Sequence, residues 1–346
     1  MKVEIVNKAK LPPDRLADAL FAKSELMLKS ESLREAARLV PNDPVYWYQQ
    51  ASSNRKLLER ALAVDPNYLP AIYRYALTKP THEQQMQALE DIAKIDMDNA
   101  KPYYIMALLK FGWIREGRLP TKESQYTAFA MTGEEWDSVT ELIKQGNARP
   151  VLRATTARIP SVSDIRVSTG GKVWPDAAVQ SNLETTLNEM NLGDLDVMPW
   201  TITFNAVSRQ LLRDAAQRAR EFYWKGERDK ALETLDTAYR FCDKFASCEP
   251  HRVIPILVAH AMRSIAEHAE VQIQQVPANR ARLLELYNRK IADRKALKAF
   301  APLLERQSVT LKDVKTSPSE GLLYIDYQAE EELATRMLMD LGFTKP

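Results

Sequence analysis

The feature that most constrains this chain is a recurring pairing of large and small side chains around short Asp, Asn and Pro turns. Residues 57–77 read LLERALAVDPNYLPAIYRYAL, and residues 88–108 read ALEDIAKIDMDNAKPYYIMAL. In each, a helical run of Ala, Leu, Glu and Lys stops at a turn, and a second helical run begins directly after it. The turns are Pro41-Asn42-Asp43-Pro44, Asp65-Pro66-Asn67 and Asp96-Met97-Asp98. Proline lacks a backbone donor and cannot continue a helix, so these punctuate the chain. The helix after each turn carries a large residue four positions ahead of an alanine: Trp47 and Ala51, Ile72 and Ala76, Tyr103 and Ala107. Helices approach closely only where a small side chain faces a large one, so this pattern predicts packed helix pairs, with Trp47, Ile72 and Tyr103 in the core.

Composition agrees. Only 10 of the 346 residues are glycine, and the abundant Ala, Leu, Glu, Lys, Arg and Gln are the residues that lose least on entering a helix. With 45% hydrophobic and 27% charged residues, the chain is expected to fold nearly throughout, as an all-α protein. Its 48 basic and 46 acidic residues leave a net charge of +2, so any charged partner must be recognised locally rather than by a global field. No apolar run approaches the ~18 residues of a membrane span. The expected location is the cytoplasm, or outside it if an upstream signal or anchor has been removed.

Three blocks follow from the pattern: an N-terminal helical lobe over 1–146, a linker or ordered loop over 147–201, and a C-terminal helical lobe over 202–346. The middle block holds Pro150, Pro160, Pro175, Pro199 and Gly170-Gly171, and one helix is expected near Asn182 to Met190. In the last block the most apolar helix, RVIPILVAHAMRSIAEHAEVQI, is expected to bury Ile254, Leu257, Val258, Ala261, Met262 and Ile265.

The helix pairs resemble tetratricopeptide repeats, the helix-turn-helix units of about 34 residues. Leu33, Ala36 and Pro41, then Leu58, Ala61 and Pro66, fall where that family places the large residue, small residue and terminal proline of its second helix. The stretch AREFYWKGERDKALETLDTA fits best, through Ala219, Phe222, Gly226, Ala231, Leu235 and Ala238. Ala51, Ala76 and Ala107 are 25 and 31 residues apart, so the array is irregular. The overall layout also resembles a loosely defined group of bacterial proteins that implies no activity. The repeat resemblance implies an α-solenoid or superhelix that works as a non-catalytic scaffold, binding a protein or peptide partner on its first-helix surface. Tyr48, Tyr73, Tyr75 and Tyr104 are the candidate partner-binding residues, and Tyr48, Tyr75 and Tyr104 are those expected to be exposed.

Two other readings stay open. A helical enzyme or small-ligand binder would hold a deep closed pocket between the lobes, covered by residues 150–200, where His260, Glu267 or several carboxylates meet. A nucleic-acid-associated protein would use the basic helix at 280–298, where Lys290, Arg294 and Lys298 share one face. Against the latter, Tyr287 is the one ring near that face and the acidic residues Glu330, Glu331 and Glu332 could balance it.

The motif search supports no catalytic residue, metal or cofactor. The histidines are His82, His251, His260 and His268, and His260 and His268 are too far apart along one helix for an i, i+4 ligand pair. STGGKVW lacks the first glycine and the hydroxyl of a phosphate loop and reads as a turn. Cys242 and Cys248 are either a small disulfide or two unrelated thiols.

Overall fold

The computed structural model describes residues 2–27, 30–51, 54–116, 131–153, 158, 160–176, 179, 180, 183, 204–249, 253–275, 279–307, 309–310, 323–324 and 327–343. In chain order these form β1 (Lys2–Ile5), α1 (Pro13–Met27), α2 (Ser30–Leu39), α3 (Pro44–Ala51), α4 (Arg55–Val64), α5 (Leu69–Leu77), α6 (His82–Ile95), α7 (Lys101–Glu116) and α8 (Gly133–Asn147). Two strands follow, β2 (Ile165–Thr169) and β3 (Lys172–Val173), then α9 (Phe204–Trp224), α10 (Arg228–Ala246), α11 (Val253–Gln274) and α12 (Arg280–Gln307). A two-stranded ladder, β4 (Val309–Thr310) with β5 (Leu323–Tyr324), precedes α13 (Tyr327–Asp340).

The chain divides into two compact units. One comprises Met1–Gln85, Thr155–Pro199 and Leu303–Glu330; the other comprises Met86–Ala154, Trp200–Pro302 and Glu331–Pro346. In the first, α1 packs on α2, α2 on α3, α3 on α4, and α4 on α5. In the second, α7 packs on α8 and α9, α8 on α10, and α9, α10 and α11 on one another. Neighbouring helices thus cover each other's apolar faces, as a helical repeat requires.

The turns work as their composition suggests. The Asp43 carboxylate accepts from the Val45 amide at 2.9 Å, Asp65 from Asn67 at 2.9 Å, and Asn54 caps α4 by accepting from Lys56 at 3.1 Å. Between α9 and α10, Gly226 takes φ 79°, and the Glu227 and Gly226 amides reach back to Phe222 and Tyr223. That closing pattern needs a residue able to turn left-handed, which is why glycine stands there.

The all-α expectation holds for the bulk of the molecule and fails in two places, the β4–β5 ladder and a larger sheet. Part of the block expected to be irregular supplies β2 and β3, which join β1 from the N-terminal block in a three-stranded antiparallel sheet, β1-β2-β3, with Val3 opposite Val167. Gly170 and Gly171, at φ 57° and 81°, make the two-residue turn between β2 and β3. Arg15 on α1 holds Asp164 bidentately, at 2.9 and 2.5 Å, and Arg158 meets Asp18, Asp43 and the Tyr46 hydroxyl, each at 3.0 Å. The sheet closes a core around Phe21, Ala36, Tyr46, Val167 and Trp174. The helix expected near Asn182 to Met190 lies, but for Leu183, outside the described residues.

Candidate functional site

The first-helix tyrosines do not form a surface. Tyr48, Tyr73 and Tyr104 are 0%, 1% and 1% exposed, so the expected exposure of Tyr48 and Tyr104 is corrected. Tyr48 lies under the buried Arg74 guanidinium, 4.0 Å from its ring, and stacks edge-on against Tyr68. Tyr104 donates to Asn147 at 2.7 Å and meets Phe241 edge-on at 4.7 Å. Gly146 exists to admit that ring, because a Cβ there would stand 2.4 Å from it. Tyr75 alone of the four is half-exposed; its hydroxyl accepts from Arg55 and donates to Glu59, and Lys79 lies over its ring.

The error has one cause in all three helices. The buried large residue precedes its alanine by three positions, as in Tyr48 and Ala51, Tyr73 and Ala76, Tyr104 and Ala107. The expected partners four positions ahead, Trp47, Ile72 and Tyr103, are half-buried. Residues three and four apart both lie on one helix face, so spacing does not choose between them. A related phase error affects α11, which buries Ile256, Ala259, Met262 and Ala266 while Ala261 is exposed.

Glu267 and Asp293 flank a buried cation, and His260 lies beside Asp293. Arg263, 2% exposed, lies 3.6 Å from Asp293 and 3.8 Å from Glu267, and His260 Nδ1 is 3.5 Å from Asp293, near but not hydrogen-bonded. The Arg263 guanidinium also donates to the carbonyls of Leu341 and Gly342 at the end of α13 and stacks 3.9 Å over Phe343. It therefore satisfies helix-end acceptors and fills the space among the acids. Burial holds the His260 imidazole below its usual range despite Asp293, and pushes the Glu267 carboxyl up despite Arg263 and Arg289. A turn further on, Arg282 grips Glu270 at 2.7 and 2.9 Å while Tyr239 donates to it at 2.7 Å. Burial raises Glu270, but these donors outweigh it and hold the carboxyl low.

The open feature of the second unit lies between α9 and α11. A groove of about 370 Å³ is lined by Arg213, Ala216 and Arg220 from α9 and by Ser264, Ile265 and His268 from α11. Arg213, Ser264 and His268 are exposed, and Arg220 is half-buried, its Nε donating to Gln272 at 2.6 Å. Ala216 opens the floor, since a larger residue midway between the two arginines would fill it. Exposed Arg209 stands one turn before Arg213 on the same stripe. Among the described residues, the lining has cationic and neutral donors and no carboxylate. Such a channel attracts acidic ligands.

Sequence reading passed over this site. The arginine stripe at 209, 213 and 220 was the available signal, but its partner His268 lies far along the chain. The basic face it did single out is present: Lys290, Arg294 and Lys298 are exposed on α12. The acidic residues expected to balance it, Glu330 to Glu332, have side chains outside those described. His251 also lies outside them. Cys242 is buried, Cys248 half-buried, and no disulfide joins them; burial pushes the Cys242 thiol up, away from reactivity. Among the described residues no helix is long and apolar enough to cross a membrane, and no group of three or more His, Cys, Asp or Glu could hold a metal ion.

Comparison with known proteins finds no match: no family model, curated protein or solved structure is significantly similar to this chain.

Proposed function

We propose that the chain is a non-catalytic interaction module, built from irregular tetratricopeptide-like helix pairs, whose α9–α11 groove holds an acidic peptide segment of a partner protein. The observation that carries this reading is the groove lining: Arg213, Arg220 and His268 around a small-residue floor, with no carboxylate among the described residues. The stretch that best fits the repeat pattern, 219–238, runs from α9 into α10, so α9 and α11 take the place of successive first helices. That is the face on which repeat arrays hold extended ligands. An acidic segment would exchange hydration for charge-assisted hydrogen bonds to the two guanidinium groups, which can each accommodate a carboxylate bidentately.

Fluorescence anisotropy with labelled peptides of graded acidity tests this. Affinity should rise with the number of acidic residues and fall with added salt, and the double variant Arg213→Glu/Arg220→Glu should lose about tenfold or more. Equal binding of neutral and acidic peptides, or wild-type affinity in the double variant, would sink the reading.

A further inference from the structure

The helix α12 has two apolar faces, and only one has a use in the fold. Its inner side buries Leu286, Asp293 and Phe300, and it is tied to α11 by Arg282 to Glu270, Arg289 to Glu267, and Asp293 to Arg263. On the opposite side Leu284, Tyr287 and Ile291 are 59%, 63% and 50% exposed. Their spacing of three and then four residues places them on one stripe. Arg280 stands before them on that side, Arg294 and Lys298 continue the stripe, and Lys290 and Lys295 flank it. All five cations are exposed, and no ion pair engages them among the described residues. Of the two acids between residues 280 and 300, Asp293 is turned inward to Arg263 and Glu285 to Arg282 and Arg289. The result is a face about 27 Å long in which an apolar centre is surrounded by uncompensated positive charge.

From this face we infer that α12 docks the protein on an anionic lipid bilayer, the cations meeting headgroup phosphates and carboxylates while Leu284, Tyr287 and Ile291 enter the boundary with the acyl chains. Three features favour a bilayer over other occupants. The apolar patch is three side chains, Leu284, Tyr287 and Ile291, ringed by cations, whereas the core of a stable protein interface is larger and depleted of charge. A membrane needs less, because several cations and a few apolar side chains act together on one plane. A second copy would bring five cations against five. A nucleic acid would use the charges but not Leu284 or Ile291, and a single ring is a poor stacking platform.

The bilayer proposal is independent of the groove between α9 and α11, and its test uses the full chain. Co-sedimentation is measured with vesicles of phosphatidylcholine alone and of phosphatidylcholine mixed with phosphatidylserine. Binding should appear on the anionic vesicles and weaken with salt. Each cation near the surface is worth about fivefold in partitioning, so Lys290→Gln/Arg294→Gln/Lys298→Gln should lose about a hundredfold. Leu284→Ser/Tyr287→Ser/Ile291→Ser should lose about tenfold or more while retaining the wild-type melting temperature, because these side chains face outward. No binding to anionic vesicles, or equal binding by the triple serine variant, overturns the inference. So does a dimer that dissociates in Ile291→Ser when vesicle binding is absent, since it would assign the face to a second copy. Binding of poly-uridine that needs the cations but not the apolar triad, without vesicle binding, assigns it to nucleic acid and overturns it likewise.

Discussion

The first helices of the N-terminal block and those of the C-terminal block treat the same kinds of residue in opposite ways. Around α3 and α5, cations and tyrosines are spent on each other: Arg74 covers Tyr48, and Arg55 of α4 and Lys79 beyond α5 engage Tyr75. In α9 and α11, Arg213 and His268 face solvent across a floor of Ala216. The difference teaches that aromatic density along a helix is a poor guide to which of its side chains are exposed. On the short helices of 8 and 9 residues, Tyr48 and Tyr73 fill the core, while Tyr75, on the same helix as Tyr73, is half-exposed. The longer helices, of 21 and 22 residues, close their core with alanines, leucines and isoleucines and can leave a polar stripe unused.

If that contrast is right, substitutions should divide into those that unfold and those that do not. Tyr104→Ala should have the largest effect, about 3–5 kcal/mol lost in chemical denaturation, because it opens a cavity against Phe241 and orphans Asn147. A loss below about 1 kcal/mol would mean Tyr104 is not the core residue described. Next is Glu25 on α1, whose carboxyl is pushed up by burial to about 7. A folded-state value above the unfolded one means stability is greatest below pH ~4.5 and is lost as pH rises through about 7, by roughly 3 kcal/mol in all. Glu25→Gln should flatten that dependence in thermal melts between pH 5 and pH 8; an unchanged slope contradicts the assignment. Gly146→Ala comes third. A helical glycine normally gains up to about 1 kcal/mol on becoming alanine, but here the contact with Tyr104 should reverse the sign and cost roughly 1–3 kcal/mol. The smallest effects belong to the surface: Arg213→Glu and Tyr75→Ala should each move stability by no more than about 1 kcal/mol.

Much of the fold is legible in the sequence, and the missing parts share a cause. Helix ends are written locally, in Asn54, Asp65 and Gly226, and so is the Gly170-Gly171 turn. The rotational phase of each helix is not, because Tyr48 and Trp47 satisfy the same spacing rule and only the neighbouring helix selects one. The sheet was illegible for a stronger reason: KVEI is short, and its partner IRVST lies across the whole N-terminal helical block. The groove is likewise non-local. Arg213 and His268 are unremarkable each in its own helix, and their meaning arises when α9 packs on α11. The stripe on α12 is the exception, since Leu284, Tyr287, Ile291, Arg294 and Lys298 could be aligned by periodicity alone.

The central claim is that the partner-binding surface lies between α9 and α11 rather than on the N-terminal first helices. Amide hydrogen exchange with and without a saturating acidic peptide tests it most directly. Added protection confined to residues 209–220 and 261–272 is the predicted result; protection at 44–51 and 69–77, with none along α9 and α11, would contradict it.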